Sequence, residues 1–293
     1  MPGIMTCRPG LYFSPSGNRC HAVTESNAIE KLLGLAGHPG ELPDERAFKG
    51  AWQSLPETTG DFEAAVIGGA MSDRLAWVFL AAYQSAVRAC FPGLPSREFV
   101  SFAASEDRRG EYPGTSIDDD GRLQGNKSWI AASRTVDWLL VTVQARDRIV
   151  LVNARAEGVS LTHRDSPGFL GDMSQGMAAF VDVVPERHVA GHEVARFGLA
   201  EPFFVTAAAA GYLYHRESAA QHRDRILGVL CSLADQSAAG FHADVAGLLQ
   251  NYDAVKSIGK AVGAAEGGAD WSANGKLLGM YRSSLARQIG LVP

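Results

Sequence analysis

The spacing of apolar residues changes twice along the chain. Up to about residue 95 they recur at helical intervals. Glu25–Leu35 reads as a short helix stopped by Gly37-His38-Pro39-Gly40, and Glu41–Gly50 adds a turn or two, while residues 1–25 read as an irregular arm. Asp61–Ile67 is a helix broken at Gly68-Gly69. Ser72–Cys90 is a longer one, with Leu75, Trp77, Val78, Phe79, Ala82 and Ala86 at helical spacing. Phe91-Pro92-Gly93 ends it, since proline lacks the N–H that a further turn needs.

From Arg97 to about Gly191 the pattern shortens to strand-length blocks. Arg97–Ala104, Arg122–Gln124, Trp138–Val143, Ile149–Val152, Val159–Leu161 and Ala178–Val184 are apolar, β-branched or aromatic, and Gly, Asp and Arg clusters divide them. Asp118-Asp119-Asp120-Gly121 and Gly125-Asn126 read as turns. Such blocks fit a compact antiparallel barrel or sandwich. Helical spacing returns at Glu201, with Pro202 suited to a first helical turn. Phe203–Arg223, Asp224–Leu249, Asp253–Ala265 and Ala273–Ile289 follow as helices. The fold class is therefore α+β: an N-terminal arm and helical domain (1–95), a middle antiparallel β-barrel (96–191) and a C-terminal helix bundle (192–293).

Composition narrows the function classes. Of 293 residues, 46% are hydrophobic and 20% charged, enough for a substantial core and too ordinary for a disordered chain. A formal net charge of -5 gives no polyanion-binding signature, so nucleic acid is not an expected partner. Cys7, Cys20, Cys90 and Cys231 form no C-x-x-C pair, which suits a reduced, cytoplasmic protein, and nothing supports a Cys7–Cys20 bridge. No apolar run is long enough for a signal peptide or a membrane span. His215, Glu217 and His222 lack a metal-ligand register, so no metal is expected. Neither a P-loop nor a Gly-x-Ser-x-Gly elbow is present.

Three motifs in order carry a family resemblance. They are Gly121-Arg122-Leu123-Gln124-Gly125-Asn126-Lys127-Ser128-Trp129-Ile130, then Gly158-Val159-Ser160, then Phe180-Val181-Asp182-Val183-Val184-Pro185-Glu186. Together they resemble the middle β-domain of acyl-CoA dehydrogenases, in a shortened and divergent form. The resemblance implies FAD as cofactor and an acyl thioester, on CoA or a carrier protein, as substrate. It also implies a homo-oligomer, dimer or tetramer, or a complementary family subunit as partner.

The resemblance assigns site residues one by one. Trp129 and Ile130 match the strand that lies against the flavin ring. Ala131 stands where the family has a hydroxyl residue, leaving only a backbone N–H for the ring. The loop that contacts flavin and acyl chain corresponds to 100–107, where Ser101 keeps a hydroxyl for the cofactor and Ser105 and Asp107 face the substrate. The family's Glu-Pro and Gly are missing from that loop. Glu201 matches the base that a minority of the family places at the start of the first C-terminal helix, ten residues before Gly211. Read without the family, Glu201 is an acid favoured at the positive end of a helix. The function implied is α,β-dehydrogenation of an acyl thioester with hydride transfer to FAD. Two alternatives stay open: a flavin-dependent monooxygenase on the same fold, and a non-catalytic descendant that has lost FAD and serves as a binding or partner subunit.

Overall fold

A computed structural model describes residues 17–36, 40–95, 97–143, 148–164, 168–190, 193–266 and 268–291. The chain begins with α1 (Gly17–Leu35), α2 (Glu45–Gln53), α3 (Asp61–Ala70) and α4 (Leu75–Cys90). Helix α1 starts at Gly17, which corrects the expected arm over 17–25; the rest of that expectation, 1–16, lies outside the described residues. Asp44 caps α2 by accepting the Ala47 N–H at 2.8 Å. Apart from Arg88 and Ala89, α4 is buried along its whole length, the signature of a helix at the centre of a core.

The predicted break at Gly68-Gly69 does not occur, and the reason lies in packing. Helix α3 runs straight through both glycines against α5 (Glu193–Tyr214). A Cβ on Gly69 would sit 1.9 Å from the Ala208 carbonyl oxygen, and one on Gly211 would sit 2.4 Å from that of Val66. The glycines let two backbones touch, which no side chain could allow.

Between the helical lobes lie two four-stranded sheets. One orders β1 (Val100–Ala103), β4 (Trp138–Val143), β5 (Arg148–Asn153) and β8 (Arg187–Ala190). The other orders β2 (Ser116–Ile117), β3 (Leu123–Ala131), β7 (Gln175–Val183) and β6 (Val159–His163). The middle β-barrel expected from the sequence takes the form of these two packed sheets, antiparallel except where β1 runs parallel to β4. Gly125 makes no turn. It sits at φ +104 beside a register shift inside a continuous β3.

Strand β4 shows how the layers stack. Leu139 and Val141 join Leu123, Ile130 and Phe180 between the sheets, whereas Leu140 joins the helical core. Both faces of that strand are covered, so its sequence is continuously apolar. Strand β1 is an edge of its sheet, and α4 satisfies that edge. Gln84 bonds both the N–H and the carbonyl of Val100 at 3.0 Å, and the Tyr83 hydroxyl accepts the Phe102 N–H at 2.7 Å.

The C-terminal lobe departs from expectation in several places: the helix expected to reach Arg223 ends at Tyr214, before a 3₁₀ turn (Glu217–His222), and the one expected to start at Asp253 starts at Val245. Helix α5 starts at Glu193, so Pro202 lies in its interior and Glu201 stands more than two turns from its N-terminus. Favourable placement at a helix N-terminus therefore does not explain Glu201. Gly240, at φ +98, divides the expected Asp224–Leu249 helix into α6 (Arg223–Ala239) and α7 (Val245–Glu266). The last expected helix is α8 (Ala269–Asn274), a 3₁₀ turn (Gly275–Leu278) and α9 (Arg282–Gln288). Residues of α3, α4, α5 and α7 share one hydrophobic core. Among the described residues no helix is long and apolar enough to cross a membrane, and no three His, Cys, Asp or Glu side chains are placed to hold a metal ion.

Candidate functional site

Strand β3, helix α4 and helix α5 meet at Tyr83. Its ring packs edge-on against Trp129 at 6.1 Å and against Phe197 at 5.8 Å, and Phe197 in turn meets Phe102 at 4.8 Å. Phe197 precedes Glu201 by four residues on α5, so both lie on one helix face. Glu201 keeps some exposure as a residue, but protein surrounds its carboxyl. That burial pushes its pKa up to about 7, against a pull downward from the Tyr281 hydroxyl.

Tyr281 comes from the segment before α9, held there by Tyr252, whose hydroxyl accepts the Tyr281 N–H at 3.1 Å and donates to the Leu277 carbonyl at 3.2 Å. The Tyr281 hydroxyl is buried and within electrostatic reach of Glu201, yet it forms no hydrogen bond of good geometry. Burial first, and the Glu201 charge second, push its pKa well above that of a free phenol. Tyr83 is also shifted upward by burial, with a smaller upward push from Glu201. The junction thus holds a carboxyl with a near-neutral pKa between two phenols that keep their protons.

The sheet side of the junction is different. The Ala131 N–H, the group expected to meet a flavin ring, donates instead to Ser101 Oγ at 3.0 Å, and both residues are buried. Ile130 points into the core between the sheets and is fully buried. Trp129 keeps part of its indole exposed. Its N–H donates to Gln175 Oε1 at 3.1 Å, and Gln175 Nε2 donates to the Phe169 carbonyl at 2.7 Å. Gln175 also lines a pocket of about 630 Å³ together with Arg46, Arg134 and Arg164 and the carboxylates of Asp44, Glu45 and Asp172.

Ser105 and Asp107 stand away from this cluster, on the loop after β1. Ser105 is exposed and its carbonyl accepts the Ser128 N–H at 2.8 Å. Asp107 accepts the backbone N–H groups of Arg109, Glu111 and Tyr112, and these bonds hold its carboxyl below the usual range. In this arrangement it closes its own loop. The same loop is pinned by fully buried Lys127, whose ammonium meets Glu106 at 2.7 Å and Thr142 at 2.9 Å.

The structure therefore gathers Glu201, Trp129, Ser101 and Ala131 around Tyr83 and leaves Ser105, Asp107 and Ile130 elsewhere. Tyr83, Tyr281 and Gln175 were not singled out from the sequence. Phe197 carried a usable signal in its helical spacing to Glu201, whereas Tyr281 reaches the site only through tertiary packing.

FAD can be tested against these donors. A partly exposed indole suits the face of a flat ring, whereas the neighbouring pocket sets its three arginines beside three carboxylates, Asp44, Glu45 and Asp172, and so offers a diphosphate no net positive charge. The ring edge is not served, because Ala131 and Ser101 are bonded to each other. The fit is thus at the ring face.

No protein-family model matches the chain, and no curated protein matches it. Solved structures do. PigA, solved with FAD and proline, is 12% identical with a TM-score of 0.61, over 96% of this chain and 100% of that one. The prolyl acyl carrier protein oxidase AnaB is 13% identical with a TM-score of 0.60, over 92% and 99%. Glutaryl-CoA dehydrogenase from Mycobacterium smegmatis is 14% identical with a TM-score of 0.54, over 93% and 90%. Identities this low speak to the fold and not to the chemistry.

Proposed function

Starting from an acyl-CoA dehydrogenase-like fold, we propose that this chain is a flavin-dependent oxidoreductase that dehydrogenates an acyl thioester, with Glu201 as the base. The observation that carries the reading is the position of the Glu201 carboxyl, buried among Tyr83, Tyr281 and Phe197 and one ring away from Trp129. Glu201 takes the α-proton of the thioester. FAD, when bound, accepts the β-hydride. A carboxyl with a pKa of about 7 is partly ionised at neutral pH and basic enough to hold the proton it removes. Trp129 would back the flavin ring, and Arg46, Arg134 and Arg164 in the pocket beside Gln175 would be the cations nearest to that face. The thioester is carried by CoA or by a carrier protein, and the chain works as a homo-oligomer or with a complementary subunit that completes the ring edge.

One observation favours a second reading, a descendant without cofactor that acts as a binding or partner subunit. The Ser101–Ala131 hydrogen bond closes the polar edge that a flavin would use. Absorbance separates the two. A purified protein with flavin bands, bleached anaerobically by acyl-CoA or acyl carrier protein, supports the enzyme. Glu201→Gln should keep the colour and lose the bleaching; bleaching at the parent rate would remove Glu201 from the mechanism. A colourless protein that takes up no added FAD selects the second reading.

A further inference from the structure

Gln175 and Asn274 lie on opposite sides of one trans peptide group and engage both of its polar atoms. The Phe169 carbonyl accepts Gln175 Nε2 at 2.7 Å, and the Leu170 N–H, in the same peptide plane, donates to Asn274 Oδ1 at 2.6 Å. On the sheet side, Gln175 Oε1 accepts the Trp129 indole N–H at 3.1 Å. On the helix side, Asn274 Nδ2 donates to Asp270 Oδ1 at 2.7 Å. Asp270 Oδ2 in turn accepts the N–H of Leu75, which opens α4, at 2.9 Å. An unbroken line of hydrogen bonds thus runs from the Trp129 ring into the C-terminal lobe.

Each link has a forced direction. An indole N–H only donates and a carbonyl only accepts, so the Gln175 amide fits in one orientation. The Leu170 N–H and the Asp270 carboxylate fix the Asn274 amide in the same way. Every donor in the line therefore points towards Asp270, and each bond polarises the next. The peptide at the centre is also a strained one. Leu170 stands at φ +56, in the region that side chains disfavour. Rotating the Phe169–Leu170 peptide about its own axis would return Leu170 to a negative φ, as in the exchange of type I and type II turns. The same rotation would withdraw the carbonyl from Gln175. The bond from Leu170 to buried Asn274 opposes it. The C-terminal lobe grips these residues a second time, with Lys276 Nζ 4.3 Å from the centre of the Phe169 ring. The N-terminal lobe holds the segment further along, where Arg74 meets Asp172 and Glu45 accepts the Ser174 N–H.

We propose that Asn274 is a positioning residue for Trp129, acting through the Phe169–Leu170 peptide and Gln175, so that the C-terminal lobe sets the orientation of the indole. Its bearing on a cofactor rests on the reading of Trp129 as the face for a flavin ring. The coupling itself belongs to the chain without flavin and does not involve Glu201.

The indole N–H signals of the nitrogen-15-labelled full chain, freed of flavin, test the coupling by NMR, with the Trp129 signal identified by its loss in Trp129→Phe. Asn274→Leu should move that signal and speed its exchange with solvent by about tenfold. The Trp52 and Trp138 signals should stay in place, which shows that the fold is kept. In a Gln175→Leu background the same substitution should move the Trp129 signal no further, because the line is already cut. Asp270→Asn is milder, since it removes the charge at the end of the line and keeps the side chain's shape. It should shift the signal in the same direction by less, and it carries the test if Asn274→Leu does not fold. An unmoved Trp129 signal in a folded variant, or equal shifts with and without Gln175, would overturn the assignment and leave Arg74 and Glu45 holding the segment by themselves. A parent that takes up no flavin would sink the cofactor reading without altering these shifts, so the two failures are distinguishable.

Discussion

The two walls of the Tyr83 junction are built on opposite principles. On the sheet wall every polar group has a partner: Ser101 with the Ala131 N–H, Gln84 with both backbone groups of Val100, and the Tyr83 hydroxyl with the Phe102 N–H. On the helix wall the Glu201 carboxyl is buried without a charge partner and the Tyr281 hydroxyl is buried without a good hydrogen bond. Satisfied polar groups stabilise a fold, and unsatisfied ones cost stability and persist where they have another use. The contrast gives β1 and β3 a structural part and leaves on α5 the buried carboxyl that the proposed reaction would use.

The largest effect should separate the walls kinetically. In a flavin-loaded preparation, Glu201→Gln is expected to slow substrate bleaching roughly 10²–10⁴-fold, the range for loss of a positioned base. Ser101→Ala should instead show itself in denaturant unfolding. It strands the buried Ala131 N–H, at a cost of about 1–3 kcal/mol. A Ser101→Ala protein as stable as the parent would mean that the sheet wall is not held by that bond.

What the sequence disclosed follows the same division. The helix–sheet–helix order was legible because the apolar period changes at about residues 95 and 200, and the pairing of β3 with β7 matches two of the motifs read there. Local rules failed where packing overruled them. Gly68-Gly69 reads as a break by propensity, yet contact with Ala208 requires small residues in an unbroken helix. Pro202 reads as a first-turn residue, yet α5 had already begun at Glu193. Glu201 and Trp129 could be named in advance, but not that Tyr281, eighty residues along the chain, would face the one, nor that Ser101 would turn towards Ala131.

A third measurement uses pH. The folded pKa of Glu201, about 7, lies above the ordinary 4.5, so the folded chain keeps a proton that the unfolded chain releases within that window. The contribution of this group is fully present below 4.5 and is lost as pH rises through about 7. Glu201→Gln removes the dependence. The variant should exceed the parent in stability above pH 7 by on the order of 2 kcal/mol, allowing for partial exposure, and match its slope below the window. Parallel stability curves from pH 4 to 8 would show that the carboxyl is solvated after all.

The smallest effect belongs to Tyr281→Phe, and it tests the helix wall most finely. Removing a buried hydroxyl that has no good partner costs no hydrogen bond and relieves a desolvation penalty, so stability should hold or rise by up to about 1 kcal/mol. The same hydroxyl pulls the Glu201 pKa downward, so its loss should move the rise of the pH–rate profile to higher pH while the plateau rate stays near that of the parent. A phenylalanine variant with an unmoved profile would mean that the phenol does not act on the carboxyl. One with a collapsed plateau would make Tyr281 a participant in the proton transfer itself, and the helix wall would then hold two catalytic groups where we propose one.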